Sequence, residues 1–444
     1  MWYLPDSPNE HVAGTLRYSP RTGITLSLIG AFRRASHGLE SMPYPVIHGV
    51  ITNSPYRAKS LVTLLRCFRR RSSIAIPGFE SEEIWANRAY VGTDHLLGEE
   101  LARFVSVRAT YAHLSEWSGL TGPRNFPTER EGRELIARHT PPPAVQLHGD
   151  DGRLLSLEVD WTASTHGRRF EITEHAQLKL SDAAGFTPEG VLREIVFPFG
   201  DFLTFAVNAP SPVEDVEFEM ERTAGDRPGR SFNLLFKPVY QPADEPETSS
   251  PDMLFTWGDI GPRYPDLVER WFRLRRQFAT ASDVYFGLVY GPPAYLETKF
   301  RLLLTALSLL IAGRTPDDAI REAIDALRRG INDPGTARWT DMLPSIDELA
   351  LPDRLRDLLG SYRQLTGVVG RDVEVFLTNL TAMNRRLFAH ESPGEMRPSL
   401  FLMVERLTQI ARIAILEQLG LSPAEIIALV TQTRQYHYLA SQES

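Results

Sequence analysis

A polar, acidic segment divides this sequence into two parts with different hydrophobic patterns. Apart from its prolines, residues 241–252 contain no apolar side chain larger than alanine, and such a composition cannot form a packed core. Short apolar runs precede the segment, and apolar residues recur at helical spacing after it. The sequence therefore predicts a β-rich region in residues 1–241, a linker in residues 242–260 and an α-helical domain in residues 261–444.

The N-terminal region contains many short segments rich in β-branched, leucine and aromatic residues, separated by proline and glycine. This pattern is typical of a β-sandwich or a related two-sheet architecture. The prolines of residues 140–143 mark a possible subdivision, and residues 202–207 are interpreted as a strand. We expect a short helix at residues 190–196, and residues 81–88 are a second helical candidate with Ser81 as the N-cap.

The C-terminal domain is predicted to be a helical bundle. Its apolar periodicity and proline or glycine boundaries indicate helices at residues 265–279, 293–312, 315–330, 345–349, 352–365, 372–389, 398–419 and 422–438.

Composition restricts the classes of function. A length of 444 residues predicts two or three domains, and a net charge of −8 argues against a protein that coats nucleic acids nonspecifically. A single cysteine, Cys67, cannot form an internal disulfide. The longest apolar run is too short to cross a bilayer, and no secretion signal is recognised at the N-terminus. We therefore expect a cytoplasmic protein that does not associate with membranes.

The strongest catalytic candidate is the segment of residues 384–390, which contains Asn384, Arg385, Arg386 and His390. Arginine offers a permanent cation for a phosphate, and histidine can transfer a proton near neutral pH. The two side chains suit cleavage of a phosphodiester. The spacing alone leaves a structural role open, because histidine is also a favourable partner of a helix C-terminus.

The C-terminal domain is all-helical and has a long apolar first helix, Arg385 and His390 near the end of a later helix, and then an apolar helix at residues 400–419. In these features this domain resembles the HEPN superfamily. The strand-rich half before it, with the turn-and-strand pattern of residues 16–26, resembles the N-terminal domain of the ApeA-like bacterial anti-phage proteins. The order of the two halves makes the combined resemblance more specific than either half.

The resemblance implies a metal-independent endoribonuclease without a cofactor that acts as a homodimer or a higher homo-oligomer. Its substrate would be RNA, with tRNA among the candidates, and a phage protein would be the trigger. His390 would act as general acid or base, and Arg385 would bind the scissile phosphate. In the family a small polar residue commonly follows the arginine, whereas here Arg386 follows and Asn384 precedes. Which arginine is functional therefore stays open, and Asn384 is expected to orient Arg385 or to cap a backbone group.

Further arginines are candidates for RNA contact. Arg270, Arg273 and Arg276 lie among aromatic residues on one predicted helix, a combination that can present cations and ring faces to RNA. The run of residues 69–71, with Arg66, is either a solvated strand end or a phosphate contact. A noncatalytic function remains the alternative hypothesis, with a dimeric helical domain and a sandwich domain that binds a protein or carbohydrate.

Overall fold

The chain forms two compact units in the computed structural model. Residues Met1–Thr204 and Pro210–Glu247 form the first, here called the sheet unit, and Phe205–Ala209 and Thr248–Ser444 form the second, the helical unit. The structure describes residues 1–32, 44–56, 59–74, 80–99, 102–120, 128–131, 134–137, 140–148, 153–166, 169–221, 230–238, 253–291, 295–312, 346–388 and 393–442. Within these residues, none of the helices combines the length and the apolar composition that a membrane span requires.

The described part of the sheet unit contains fourteen strands. They are β1 (Trp2–Tyr3), β2 (Ala13–Ser19), β3 (Gly23–Ile29), β4 (Tyr44–Val50), β5 (Leu61–Ile74), β6 (Glu80–Gly92), β7 (Phe104–Tyr111), β8 (Thr128–Glu131), β9 (Glu134–Ala137), β10 (Val145–His148), β11 (Leu154–His166), β12 (Arg169–Phe186), β13 (Val213–Glu219) and β14 (Ser231–Phe236).

Hydrogen bonding joins twelve of these strands into one sheet, in the order β1-β4-β5-β6-β14-β13-β7-β12-β11-β10, with β3 paired to β6 and β2 paired to β3. Neighbouring strands are antiparallel. Strands β8 and β9 form a separate hairpin. The predicted order of a β-rich region followed by an α-helical region is confirmed.

Alternation of side chains along β3, β5 and β6 builds a core on one face of this sheet. Leu26, Ile84 and Cys67 are fully buried members of one apolar cluster. Their sequence neighbours point to the opposite face, because successive strand residues alternate. The helical candidate at residues 81–88 was therefore wrong. Those residues belong to β6, and their side chains repeat with the period of two that a strand requires.

Three helical segments lie beside the strands. They are α1 (Leu114–Ser118), α2 (Pro188–Val191), which continues as a π-helical turn (Leu192–Val196), and α3 (Phe197–Val207). The helix expected at residues 190–196 is confirmed, and the side chain of Thr187 caps α2 by accepting from the Gly190 N–H. The strand expected at residues 202–207 is the end of α3. That helix is buried on nearly all sides, so its sequence has no apolar periodicity to separate it from a strand.

The helical unit contains the last three residues of α3 and ten further α-helices among its described residues. They are α4 (Trp257–Ile260), α5 (Tyr264–Gln277), α6 (Ala279–Tyr290), α7 (Leu296–Leu310), α8 (Ile346–Gly360), α9 (Thr366–Val369), α10 (Val373–Phe388), α11 (Pro393–Gln418), α12 (Pro423–Thr431) and α13 (Arg434–Ser441). The helix predicted at residues 315–330 lies outside the described residues.

The helix predicted at residues 422–438 is divided into α12 and α13. Thr433 lies between them in an extended conformation, and its hydroxyl accepts from the Tyr436 N–H as an N-cap. At the start of α12, Ser422 and Glu425 form a reciprocal capping box. Both helix starts thus follow from side chains that satisfy backbone N–H groups.

Two histidine rings are stacked in the sheet unit. The centroids of His48 and His95 are 4.4 Å apart with an interplanar angle of 11°, and His48 Nε2 donates to the Leu96 carbonyl at 3.0 Å. Burial, and then the neighbouring His48, lower the pKa of His95 to about 4, although Asp94 opposes this shift. Burial also lowers the pKa of His48. Both rings are therefore neutral at pH 7.

Acidification is expected to destabilise the sheet unit through this pair. In the unfolded chain His95 titrates near its ordinary pKa of about 6.5, so the unfolded state binds the proton first. The stabilisation is complete above about pH 6.5 and is lost as the pH falls towards 4. With allowance for solvent screening of a half-buried ring, we expect a loss of about 1 kcal/mol between pH 7 and pH 5. Urea unfolding at each pH measures it.

His95→Phe keeps the stacked ring but removes its titration, so the free energy of unfolding of this variant should change less between pH 7 and pH 5. The exposed His175 offers a matched control, and His175→Asn should retain the wild-type pH dependence. An identical pH dependence in His95→Phe and wild type would show that the pair does not sense pH.

Candidate functional site

The motif predicted from sequence lies at the C-terminal end of α10. Asp372 immediately precedes the helix and caps it, because its carboxylate accepts from the Glu374 N–H at 2.6 Å and the Val375 N–H at 3.4 Å. One side of α10 is buried through residues at helical spacing, including Phe376, Leu380 and Leu387. The motif is thus carried by an amphipathic helix whose apolar side packs inside the helical unit.

A bidentate ion pair holds the first turn of α10 to α8. Arg356 Nε donates to one carboxylate oxygen of Glu374 at 2.6 Å, and Nη2 donates to the other at 3.0 Å. Both side chains are about half exposed to solvent, so the pair mainly fixes the orientation of the two helices rather than adding much stability.

Arg385 and Arg386 are exposed on the last turn of α10, while Asn384 is partly buried. Consecutive residues of a helix are separated by about 100° of rotation, so the two guanidinium groups leave the helix in different directions. Arg386 has an intramolecular partner. Among the described residues, no hydrogen bond or ion pair involves the Arg385 side chain. These placements favour Arg385 over Arg386 as the arginine that can receive a phosphate.

Arg301 of α7 adds a third guanidinium group to this helix end. Its Nη2 donates to the carbonyl of Leu387 at 3.1 Å. The last carbonyls of a helix lack intrahelical partners and carry partial negative charge, so a cation is favourable there. Arg301 was not predicted from the sequence. The available signal was its charge within the apolar run at residues 293–312, and its position at the motif depends on tertiary packing.

His390 lies outside the described residues, so its distance from Arg385 is not defined. The helix keeps its regular form to Phe388, and the next helix, α11, begins at Pro393. Proline at a first helical position is well tolerated, because that N–H has no intrahelical acceptor. Pro393 therefore starts α11, and His390 belongs to the connection between α10 and α11.

Three arginines of α5, Arg270, Arg273 and Arg276, were predicted to contact RNA, and the structure gives the first two of these intramolecular partners. Arg270 Nη1 is 3.5 Å from the Leu419 carbonyl, and Arg273 Nη2 donates to Glu269 at 2.6 Å. Arg276 is exposed. Arg270 thereby caps the end of α11, while Arg273 forms a pair within its own helix. RNA contact by Arg270, Arg273 and Arg276 stays a prediction.

The approach of Arg270 to α11 requires a glycine. Gly420 has a φ of +80°, a left-handed conformation that favours glycine at a helix C-terminus. A Cβ atom at this position would also overlap the Arg270 guanidinium. Gly420 thus marks the end of the helix in the sequence, and its lack of a side chain also allows Arg270 to reach the Leu419 carbonyl.

A second polar cluster lies partly buried in the sheet unit. Lys59 Nζ contacts Glu217 and donates to Asn233 Oδ1 at 2.6 Å, and Arg108 Nη2 donates to Glu217 at 3.0 Å. Burial alone would raise the pKa of Glu217, but the hydrogen bonds and charges of Lys59 and Arg108 lower it. Burial raises the pKa of the neighbouring Asp215. The charges neutralise one another, so the cluster is best explained as support for β7, β13 and β14.

These features define a two-part protein with a large antiparallel sheet, a helical unit and a basic helix end on that unit. The family model of the ApeA N-terminal domain 1 matches residues 1–271. The chain therefore belongs to the ApeA N-terminal domain 1 family, and this membership associates it with anti-phage defence. No curated protein matches the chain, and no solved structure matches it.

Proposed function

We propose that this protein is a HEPN-type endoribonuclease of anti-phage defence that cleaves RNA without a metal ion at a site shared by two copies of the chain. Family membership supports the link to defence. The observation that carries the catalytic proposal is the exposed Arg385 on the last turn of α10, three residues before Phe388, on the helix end that Arg301 holds through the Leu387 carbonyl.

The proposed reaction uses the 2'-hydroxyl of RNA as the nucleophile. Its oxygen forms a bond to the scissile phosphorus while the bond from phosphorus to the 5'-oxygen breaks, which leaves a 2',3'-cyclic phosphate and a 5'-hydroxyl. One proton leaves the 2'-hydroxyl and another reaches the departing 5'-oxygen, and histidine at neutral pH suits both transfers. His390 is the proposed acid or base. Arg385 stabilises the charge that develops on the phosphate oxygens.

Arg301 is a positioning residue in this proposal. Its hydrogen bond to the Leu387 carbonyl holds the last turn of α10 in place, and with it the backbone from which the Arg385 side chain projects. Its positive charge also raises the local potential for an anionic substrate.

Regulation is assigned to the sheet unit, which we propose holds the nuclease inactive until a phage protein binds. The enzyme would then act in the cytoplasm on host RNA, including tRNA, and cleavage would arrest the infected cell. Two chains would form the active species, because one Arg385 and one His390 supply half of a composite site.

Incubation of the purified protein with RNA and with single-stranded DNA of the same sequence tests the chemistry. We expect cleavage of RNA alone, with 2',3'-cyclic phosphate ends and no loss of activity in a metal chelator. DNA lacks the nucleophilic hydroxyl. Cleavage of both polymers, or activity that disappears with chelation, would refute the proposed mechanism. RNA that stays intact in phage-infected cells as well would favour a noncatalytic dimeric binding module.

A further inference from the structure

A row of outward side chains crosses four neighbouring strands of the sheet. Arg17 of β2 is paired with Thr25 of β3, Thr25 with Trp85 of β6, and Trp85 with Phe68 of β5. Side chains at directly paired positions of antiparallel strands lie on the same face with Cβ atoms about 5 Å apart. The row faces away from the core, whose members on these strands occupy the alternate positions.

Trp85 and Phe68 are two large aromatic side chains that remain about half exposed on the outer face of the sheet. Their relative exposures are 48% and 55%, so two large neighbouring rings are open to solvent on adjacent strands. Scattered exposed apolar residues are ordinary, but an adjacent aromatic pair is a small patch of the kind that marks an interaction site. We call this surface the Trp85 face, defined by Trp85, Phe68, Arg17, Arg66 and Arg70.

Arginines surround the two rings. Arg66 and Arg70 lie two residues before and after Phe68 on β5, and all three are exposed. The Arg70 guanidinium lies 4.9 Å from the centroid of the Trp85 ring, and Arg17 is exposed at the other end of the row. The surface combines flat rings with cations.

The Trp85 face keeps a net positive charge, because its arginines outnumber the carboxylates near them. Arg70 pairs with Glu83 at 2.9 Å, and Arg66 lies 4.0 Å from Glu189. Arg17 adds a further exposed cation. The three arginines of the face outnumber these two glutamates and select an anionic partner, although the whole chain has a net charge of −8.

We propose that the Trp85 face binds single-stranded RNA. Bases stack on Trp85 and Phe68, and Arg17, Arg66 and Arg70 contact the phosphates. RNA-binding sheets use aromatic side chains on adjacent strands to stack two or three bases, and arginine-lined surfaces follow the backbone of a single strand. An acidic peptide would satisfy the arginines but has no flat groups for both rings, and the bases of a duplex are not open to stacking.

This binding site is separate from the proposed nuclease site, since it lies on the sheet and does not depend on cleavage. It would give the sheet unit direct contact with RNA. The proposed nuclease could therefore be recruited to, or controlled by, exposed single strands.

Fluorescence anisotropy of a labelled single-stranded RNA oligonucleotide tests the proposal with the full-length chain. The measurement is made in a His390→Ala background so that the RNA stays intact. Trp85→Ala should weaken the Kd about tenfold, since each stacked base contributes strongly to affinity, and Trp85→Phe should retain most of it. Arg66→Gln and Arg70→Gln should each reduce the slope of log Kd against log salt concentration by about 0.7.

Trp161 provides a matched control, because it is 43% exposed on β11 but is paired with Glu174 and follows Asp160. Trp161→Ala should leave the Kd unchanged. An unchanged Kd in Trp85→Ala would overturn the proposal. The proposal would also be overturned if, in a competition measurement, polyglutamate displaced RNA equally well from the wild type and from Trp85→Ala. If RNA binding depends on Trp85 but the protein has no ribonuclease activity, only the nuclease proposal is refuted. If the protein cleaves RNA but its RNA binding does not depend on Trp85, only the proposed binding site on the sheet is refuted.

Discussion

Exchanging Arg385 for glutamine is expected to slow RNA cleavage by a factor of about 10²–10³, the range found when one donor to a developing oxyanion is removed. The exposed guanidinium of Arg385 lies on a helix end fixed by Arg301 and by the packing of Leu387. Glutamine preserves much of the length and polarity of the side chain but removes its charge. The effect should therefore appear in the rate of cleavage rather than in stability.

Arg386→Gln is the matched control, because it removes the same charge from the adjacent position on the same exposed turn. We expect less than a tenfold change for it, since Arg386 already has an interaction within the chain and its side chain leaves the helix about 100° away from that of Arg385. A large effect of Arg386→Gln with a small effect of Arg385→Gln would reverse the assignment of the two arginines.

His390→Ala completes this series and should slow cleavage by about 10²–10⁴, the usual contribution of a general acid or base. Growth and total RNA of phage-infected cells that express each variant provide the readout. Equal RNA damage and equal survival with wild type and His390→Ala would remove the ribonuclease proposal, whereas loss of both with unchanged protein levels would support it.

The order of the two units was predictable from sequence because it depends on local patterns. Short apolar segments before residue 241 and helical spacing of apolar residues after residue 261, together with proline and glycine boundaries, require no knowledge of tertiary contacts. Residues 202–207 of α3 were misread as a strand for a related reason, because a segment buried on nearly all sides shows no alternation of apolar and solvent-exposed positions that would reveal its period.

Features that arise from pairing across the fold were not predictable. Arg301 and Leu387 are 86 positions apart in the chain, and the residues around either one give no indication of the contact between them. Likewise, the arginines of residues 69–71 were recognised as a charged run, but the placement of Phe68 opposite Trp85 depends on strand register. A one-residue change of register would have sent these side chains to the core face.

Replacing Trp271 with alanine is expected to lower the free energy of unfolding of the helical unit by about 3–5 kcal/mol, the usual cost of removing a buried large aromatic ring. Trp271 is fully buried on α5. Its ring stacks on Phe205 at a centroid distance of 5.7 Å and packs edge-to-face with Phe286 at a centroid distance of 5.8 Å. Since Phe205 comes from the short segment that precedes the last sheet strands, Trp271 joins two parts of the chain that are distant in sequence.

The loss should be measurable as faster hydrogen exchange in peptides from α5 and α6, with a smaller change in peptides from β11 and β12, because cavity formation weakens its own cooperative unit first. Phe272→Ala is the control on the same helix, since Phe272 is the next residue and is partly exposed. It should cost about 1–2 kcal/mol less than Trp271→Ala, as less apolar surface is returned to water. Equal losses in both variants would mean that α5 is stabilised by its general amphipathic packing, and that Trp271 has no special part in joining the segment at Phe205 to the helices.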